Sequence, residues 1–117
     1  MATSADCLFC KIAAGKIDAD MVHRDNNVVA FRDINPQAPT HVLIIPRNHV
    51  PTINDLTGSN VDDVGRLFLA AKVVAKQEGL DEDGYRVVMN CMEGAGQSVF
   101  HIHLHLLGGR PLRWPPG

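Results

Sequence analysis

Only one stretch of this chain has the length and spacing of a crossover helix. From Asn60 to Glu78 the apolar residues Val61, Val64, Leu67, Phe68, Ala71, Val74 and Ala75 recur at three- and four-residue intervals, so one stripe is expected to face a core. Asn60 can cap the first turn, Asp62 and Asp63 sit where the helix dipole favours negative charge, and Gly79 supplies a left-handed stop. Parallel strands each need a crossover of this kind, so a chain with one such helix is restricted to mainly antiparallel pairing. The remaining apolar runs are short. Met21 to Arg24 and Val28 to Phe31 flank Asp25-Asn26-Asn27 as a hairpin; His41 to Ile45 reads as a central strand ended by Pro46; Tyr85 to Asn90 and Val99 to Leu107 complete the set. A short helix is expected from Cys7 to Ala14, stopped by Gly15. The order βββαββ places the chain in the α+β class, with a five-stranded antiparallel sheet, one long helix and one short helix.

With 117 residues, 45% hydrophobic, the chain is expected to be a single domain over residues 1–117, large enough to bury a core without disulfides. A net charge of −2 and the absence of a basic run argue against nucleic acid or an anionic membrane as partner. The uninterrupted apolar runs, Val42 to Ile45 among them, are far below the ~20 residues of a spanning helix, and Met1 to Ala5 carries no signal core, so the expected location is cytoplasmic. Cys7, Cys10 and the lone Cys91 do not make a disulfide framework. The Cys7/Cys10 pair reads either as reduced thiols on a short helix or as two of four tetrahedral metal ligands.

The chemistry concentrates near the C-terminus. In Phe100-His101-Ile102-His103-Leu104-His105-Leu106-Leu107 the residues alternate, and a strand sends alternate side chains to opposite faces, so three imidazoles are expected on one face. Exposed strand positions rarely carry three histidines in register without a task; imidazole can ligate a metal, move protons, or attack phosphorus or carbonyl carbon. Upstream, Gly94-Ala95-Gly96-Gln97-Ser98 is either a plain glycine-bearing connection or a loop aiming N–H groups and a hydroxyl at an anion beside those histidines.

His101-Ile102-His103-Leu104-His105-Leu106-Leu107 resembles the full signature of the histidine triad (HIT) family. Gly108-Gly109-Arg110 and the ending Trp114-Pro115-Pro116-Gly117 resemble its Hint branch, the nucleoside phosphoramidate hydrolases. Asp33-Ile34, Gln37-Ala38-Pro39-Thr40-His41, Ile45-Pro46, Asn90 and Gly96-Gln97-Ser98 also match that branch. The resemblance implies that His103 is the nucleophile toward the α-phosphorus of a purine nucleotide conjugate, AMP or GMP in type. A covalent nucleotidyl-histidine would follow, with the ring aimed by the backbone carbonyl of His101. It implies that His105 and the Gln97 and Ser98 region, with Gly96, contact phosphoryl oxygens or the departing amine. His41 is the additional histidine beside the triad, or simply a buried strand-end histidine. Asn90 is implied as a ribose or phosphate contact and Asp33 as the carboxylate for ribose hydroxyls. Ile34, Phe9 and Ile12 are implied as base-pocket walls, although apolar residues like these also serve as plain core. No organic cofactor is implied.

Bacterial members carrying the cysteine pair complete it with the histidine after the Ile-Pro turn and the first triad histidine, so the resemblance implies a structural Zn2+ on Cys7, Cys10, His49 and His101. The Hint branch further implies a homodimer built on the Asn60 to Glu78 helix and the Tyr85 to Met89 strand. Trp114 then either shapes the amine side of the partner's site or caps its own core. Two functions compete with phosphoramidate hydrolysis: dinucleoside polyphosphate hydrolysis, which uses the same His103, and a nucleotide-binding or interaction module with incidental turnover.

Overall fold

The computed structural model describes residues 3–117; Met1 and Ala2, part of the segment read for a signal core, lie outside the described residues. Seven regular elements form an α+β fold: α1 (Leu8–Ala13), β1 (Met21–Arg24), β2 (Val28–Arg32), β3 (Thr40–Pro46), α2 (Val61–Gln77), β4 (Arg86–Val88) and β5 (Leu104–Gly108), with short 3-10 turns at Ile53–Asp55 and Glu93–Ala95. The five strands make one sheet in the order β1-β2-β3-β5-β4, with every pair antiparallel. Placing β5 between β3 and β4 sets His105 opposite Leu43, beside the strand that carries His41.

Local chemistry explains most boundaries. The β1–β2 turn forms because the Asp25 carboxylate accepts the N–H groups of Asn27 and Val28. At the end of α2 the N–H of Leu80 reaches the carbonyl of Ala75 and that of Gly79 the carbonyl of Lys76, with Gly79 at φ +73, a Schellman closure. Asn60 behaves differently from its expected role. Its side chain turns back into the preceding loop, accepting from the Thr57 N–H and donating to the Asp55 carbonyl, and makes no cap bond to the helix.

Two apolar layers cover the sheet. On one face Leu67, Ala70, Ala71, Val74 and Ala75 of α2 pack on Val28, Ala30, Val42, Ile44, Ile102, Leu104 and Leu106. On the other, Phe9, Ile12 and Ala13 of α1 pack on Val29, Phe31, Leu43 and Ile45. β3, fully buried, touches both layers, which fits its continuously apolar run from Val42 to Pro46 after Thr40 and His41. The stripe on α2 is narrower than its spacing predicts: Val61 and Phe68 are each 49% exposed, on the flank of the helix away from the sheet. Gly108 lets β5 approach α2's C-terminal loop, since a Cβ there would lie 2.6 Å from Leu80 Cδ1. No described helix is long and apolar enough to cross a membrane.

The last two strands are shorter than expected. β4 stops at Val88, leaving Asn90 half-buried beyond it, and β5 begins only at Leu104. Before Leu104 the chain leaves the sheet: the Ile102 N–H donates to the Val50 carbonyl instead of to a neighbouring strand. The alternation nevertheless continues through this unpaired stretch. Ile102, Leu104 and Leu106 enter the α2 layer. The rings of His101 and His103 pack against Phe9 on the opposite face.

Candidate active site and metal cluster

Each histidine has one ring nitrogen claimed by a neighbour, and this decides what the other can do. His101 is fully buried, and its Nε2–H donates to the Pro46 carbonyl at 2.7 Å, leaving the lone pair on Nδ1. Burial pushes its pKa down to about 4, so the ring is neutral near pH 7. His103 Nδ1–H donates to the backbone carbonyl of His101 at 2.8 Å, which leaves Nε2 as an unprotonated lone pair. Burial also lowers its pKa, opposed by that hydrogen bond and by the charge of Asp33. A neutral imidazole aimed by a carbonyl is an activated nucleophile.

His41, at the start of β3, accepts the Gln37 backbone N–H on Nδ1 at 3.0 Å. Its proton therefore lies on Nε2, 2.9 Å from His105 Nδ1 and 3.4 Å from Asp33 Oδ2. His105 in turn must carry its own proton on Nε2. Burial, followed by the neighbouring His103 and His41, holds the His105 pKa at about 4, and burial lowers that of His41 against the pull of Asp33. The rings of His103 and His105 lie 5.0 Å apart, so an unprotonated nitrogen and a fixed N–H donor stand side by side. That pairing suits attack on a tetrahedral centre whose oxygens gain charge.

A cavity of about 450 Å3 opens beside this group, lined among others by Leu8, Phe9, Ile12, Phe31, Asp33 and Leu43. Two residues join cavity and histidines: Phe9 lines the cavity and sits with its ring centroid 5.1 Å from His103, while Asp33 lines it and faces His41. The Asp33 carboxylate is held by the Asn35 N–H on Oδ1. Phe9 and Ile12 turn out to serve both as core and as wall. Ile34, also expected as a wall, is fully exposed and stands at the cavity's mouth. Phe31, Leu43 and Leu8 were not anticipated as walls, because strand and helix spacing marks them only as apolar.

The loop before the triad divides its residues. Gln97, read as a phosphate contact, is buried, and its side chain is spent on the loop itself. Its Oε1 accepts from the Met92 N–H and its amide donates to the carbonyls of Pro51 and Val99. Gln97 therefore shapes the loop, while Gly96, at φ +95, and Ser98 remain exposed. Trp114 is 82% exposed, which rules out the reading in which it caps its own core.

The four residues Cys7, Cys10, His49 and His101 converge. His101 Nδ1 lies 3.3 Å from Cys7 Sγ, 3.5 Å from Cys10 Sγ and 3.2 Å from His49 Nδ1, and Cys10 Sγ lies 3.4 Å from His49 Nδ1. A tetrahedral ion with bonds of about 2.3 Å to sulfur and about 2.1 Å to nitrogen separates its ligands by roughly 3.3–3.8 Å, so these donors fit a metal ion. Burial raises the Cys10 thiol pKa, so a cation is what would favour its thiolate. Asp33, His41 and His105 also lie close enough to suggest a cluster. There the Gln37 N–H occupies His41 Nδ1 and keeps a proton on the converging Nε2, which opposes a cation.

The HIT domain family model matches residues 14–112. The chain is 51% identical over 107 residues to the purine nucleoside phosphoramidase of Escherichia coli (strain K12), covering 92% of this chain and 90% of that protein. It is 53% identical over 116 residues to the 14 kDa zinc-binding protein of Zea mays, covering 94% of this chain and 87% of the relative. Among solved structures, the HIT family hydrolase from Legionella pneumophila Philadelphia 1 superposes with a TM-score of 0.93 at 56% identity, covering 96% of this chain and all of that one. With its triad in register, its antiparallel sheet and a family match over most of its length, the chain belongs to the HIT family.

Proposed function

We propose that the protein is a hydrolase of purine nucleoside 5′-phosphoramidates, with residues 1–117 forming one HIT domain. The observation that carries this reading is the His103 ring, whose Nδ1–H is tied to the His101 carbonyl at 2.8 Å while Nε2 keeps its lone pair. His103 Nε2 attacks the α-phosphorus, the P–N bond to the amine breaks, and a nucleotidyl-histidine forms. His105 Nε2–H stabilises the phosphoryl oxygens or the departing nitrogen. The phosphoramidate nitrogen takes one proton from solvent as it leaves as the amine, and water returns one proton to solvent when it hydrolyses the phosphorus–imidazole bond, so each turnover consumes one water and restores neutral His103. Phe9, Ile12 and Ile34 hold the base, Asp33 takes the ribose hydroxyls, and Asn90, Gly96 and Ser98 border the phosphate. An apolar pocket admits adenine and guanine alike. The test is release of AMP from an adenosine phosphoramidate, together with mass-spectrometric capture of the nucleotidylated peptide containing His103. Absence of both would overturn the assignment.

The reading includes Zn2+ in the Cys7, Cys10, His49 and His101 cluster, where four protein ligands leave no open position and the ion supplies structure. It also includes a homodimer in the cytoplasm. β4 is an edge strand, and Val61 and Phe68 leave apolar surface on α2, so pairing across a two-fold axis would cover both. Trp114 would then reach the amine side of the neighbouring site. Sedimentation at micromolar concentration should give a dimer, and Trp114→Ala should change selectivity among amines much more than nucleotide affinity; a monomer or an unchanged substrate profile would reject the shared site.

A further inference from the structure

Three parts of the site meet at the Cys7, Cys10, His49 and His101 cluster. The first is α1, six residues long and far too short to hold its shape alone in water. Its buried face contributes Phe9 and Ile12 to the cavity wall. Its first turn is fastened by Cys7, whose Sγ accepts the Cys10 N–H, and both sulfurs reach His101 Nδ1. The second is the segment following β3, which brings His49. The third is His101 itself: the same residue that offers Nδ1 to the cluster offers its carbonyl to the nucleophile. None of the buried residues of the α2 layer comes from α1, so that layer packs with no contribution from the helix that carries the cysteines.

We infer that a metal ion on Cys7, Cys10, His49 and His101 and a nucleotide against Phe9 and Ile12 bind with positive cooperativity, which makes Cys7, Cys10 and His49 positioning residues for both the base pocket and His103. The inference rests on the proposed function in taking the nucleotide as the cavity's ligand. Either ligand needs α1 ordered and docked. The conformational freedom lost in ordering α1 is lost once, so whichever ligand binds second meets a prepared site. Linkage then requires each ligand to tighten the other by the same factor.

The test measures zinc affinity by competition with a chromophoric chelator, without nucleotide and with saturating AMP. Adenosine serves as a control that cannot chelate through phosphate. Calorimetry gives the AMP dissociation constant of metal-loaded and metal-free protein, and amide exchange follows α1, α2 and β3. Saturating AMP should tighten zinc at least fivefold, metal should tighten AMP by the same factor, and α1 should lose far more protection than α2 and β3 when metal is removed. Cys10→Ser should weaken AMP binding and add nothing further on chelation. Equal zinc affinity with and without AMP would overturn the inference. So would an equal loss of protection in α1, α2 and β3, because the metal would then govern folding as a whole with no separate hold on α1. AMP that fails to bind metal-loaded protein would sink the nucleotide reading, and the exchange of α1 would then decide the positioning role alone: unchanged protection overturns it.

Discussion

Two donor clusters sit within a few residues of each other and were built from similar parts. Cys7, Cys10, His49 and His101 bring four donor atoms together, and Asp33, His41 and His105 bring three. What separates them is the backbone group on the far side of one ring. The Pro46 carbonyl accepts a hydrogen bond from the Nε2–H of His101, so its Nδ1 converges on the cluster as a lone pair. The Gln37 N–H occupies Nδ1 of His41, so its Nε2 converges carrying a proton. The first arrangement suits a cation; the second passes hydrogen-bond polarity from the loop through His41 to His105. Counting ligand types alone cannot distinguish the two.

The largest effect should come from the residue between them. His103 is held by the His101 carbonyl on one side and lies against His105 on the other. His103→Ala should lower turnover by at least about 10^3-fold while AMP still binds, because only the covalent step needs that imidazole. Stopped-flow turnover and calorimetry check both halves, and wild-type turnover in the variant would end the nucleophile assignment.

Next comes the polarity of the second cluster. His105→Ala removes the fixed N–H donor and should cost about 10^2–10^3-fold in kcat. His41→Ala leaves His105 in place without its Nδ1 partner and should cost less, about tenfold, through a mixed tautomer. If the two variants were equal, the direction drawn through His41 would be wrong, and 15N shifts of the His105 ring would report which tautomer is present.

Metal analysis sharpens the contrast directly. One equivalent of Zn2+ per chain is expected, with Co2+ substitution giving thiolate charge-transfer bands that Cys7→Ser or Cys10→Ser diminishes and Asp33→Asn leaves alone. Removing the ion should lower Tm by roughly 5–15 °C. A second tight equivalent, lost in Asp33→Asn, would show that the Asp33 cluster also receives cations.

The last effect concerns pH. His105 is pushed by burial to about 4, below its ordinary value of 6.5. The folded state thus favours the neutral ring, and the unfolded chain takes up the proton first as pH falls. The associated stability is fully present above pH 6.5 and is lost progressively down to about pH 4, an effect of at most about 3 kcal/mol. His105→Gln should flatten that part of the stability curve in chemical denaturation; an unchanged slope would mean the ring is not buried as described.

Much of this was legible in the linear chain. The alternation through His101, His103 and His105 survived even where the strand it implied did not, because an extended chain alternates its side chains whether or not a neighbour pairs with it. The helix boundaries were legible for the same local reason, since Gly79 closes α2 through its own backbone. The exposure of Phe68 was not legible. Helical spacing identifies an apolar stripe but not how much of it one sheet can cover. Gln97 likewise carries the same amide whether it meets a phosphate or the Met92, Pro51 and Val99 backbone, and only the folded loop selects between them.

The order of elements, the triad and the Cys7/Cys10 pair are therefore properties of the chain, set by periodicity and side-chain chemistry. The tautomers are properties of the fold. Pro46 lies 55 residues from His101, and Gln37 acts on His41 through a backbone N–H that every non-proline residue possesses. Such groups leave no mark in a sequence, yet by claiming one nitrogen each they decide which histidine can hold a metal, which can attack and which can donate.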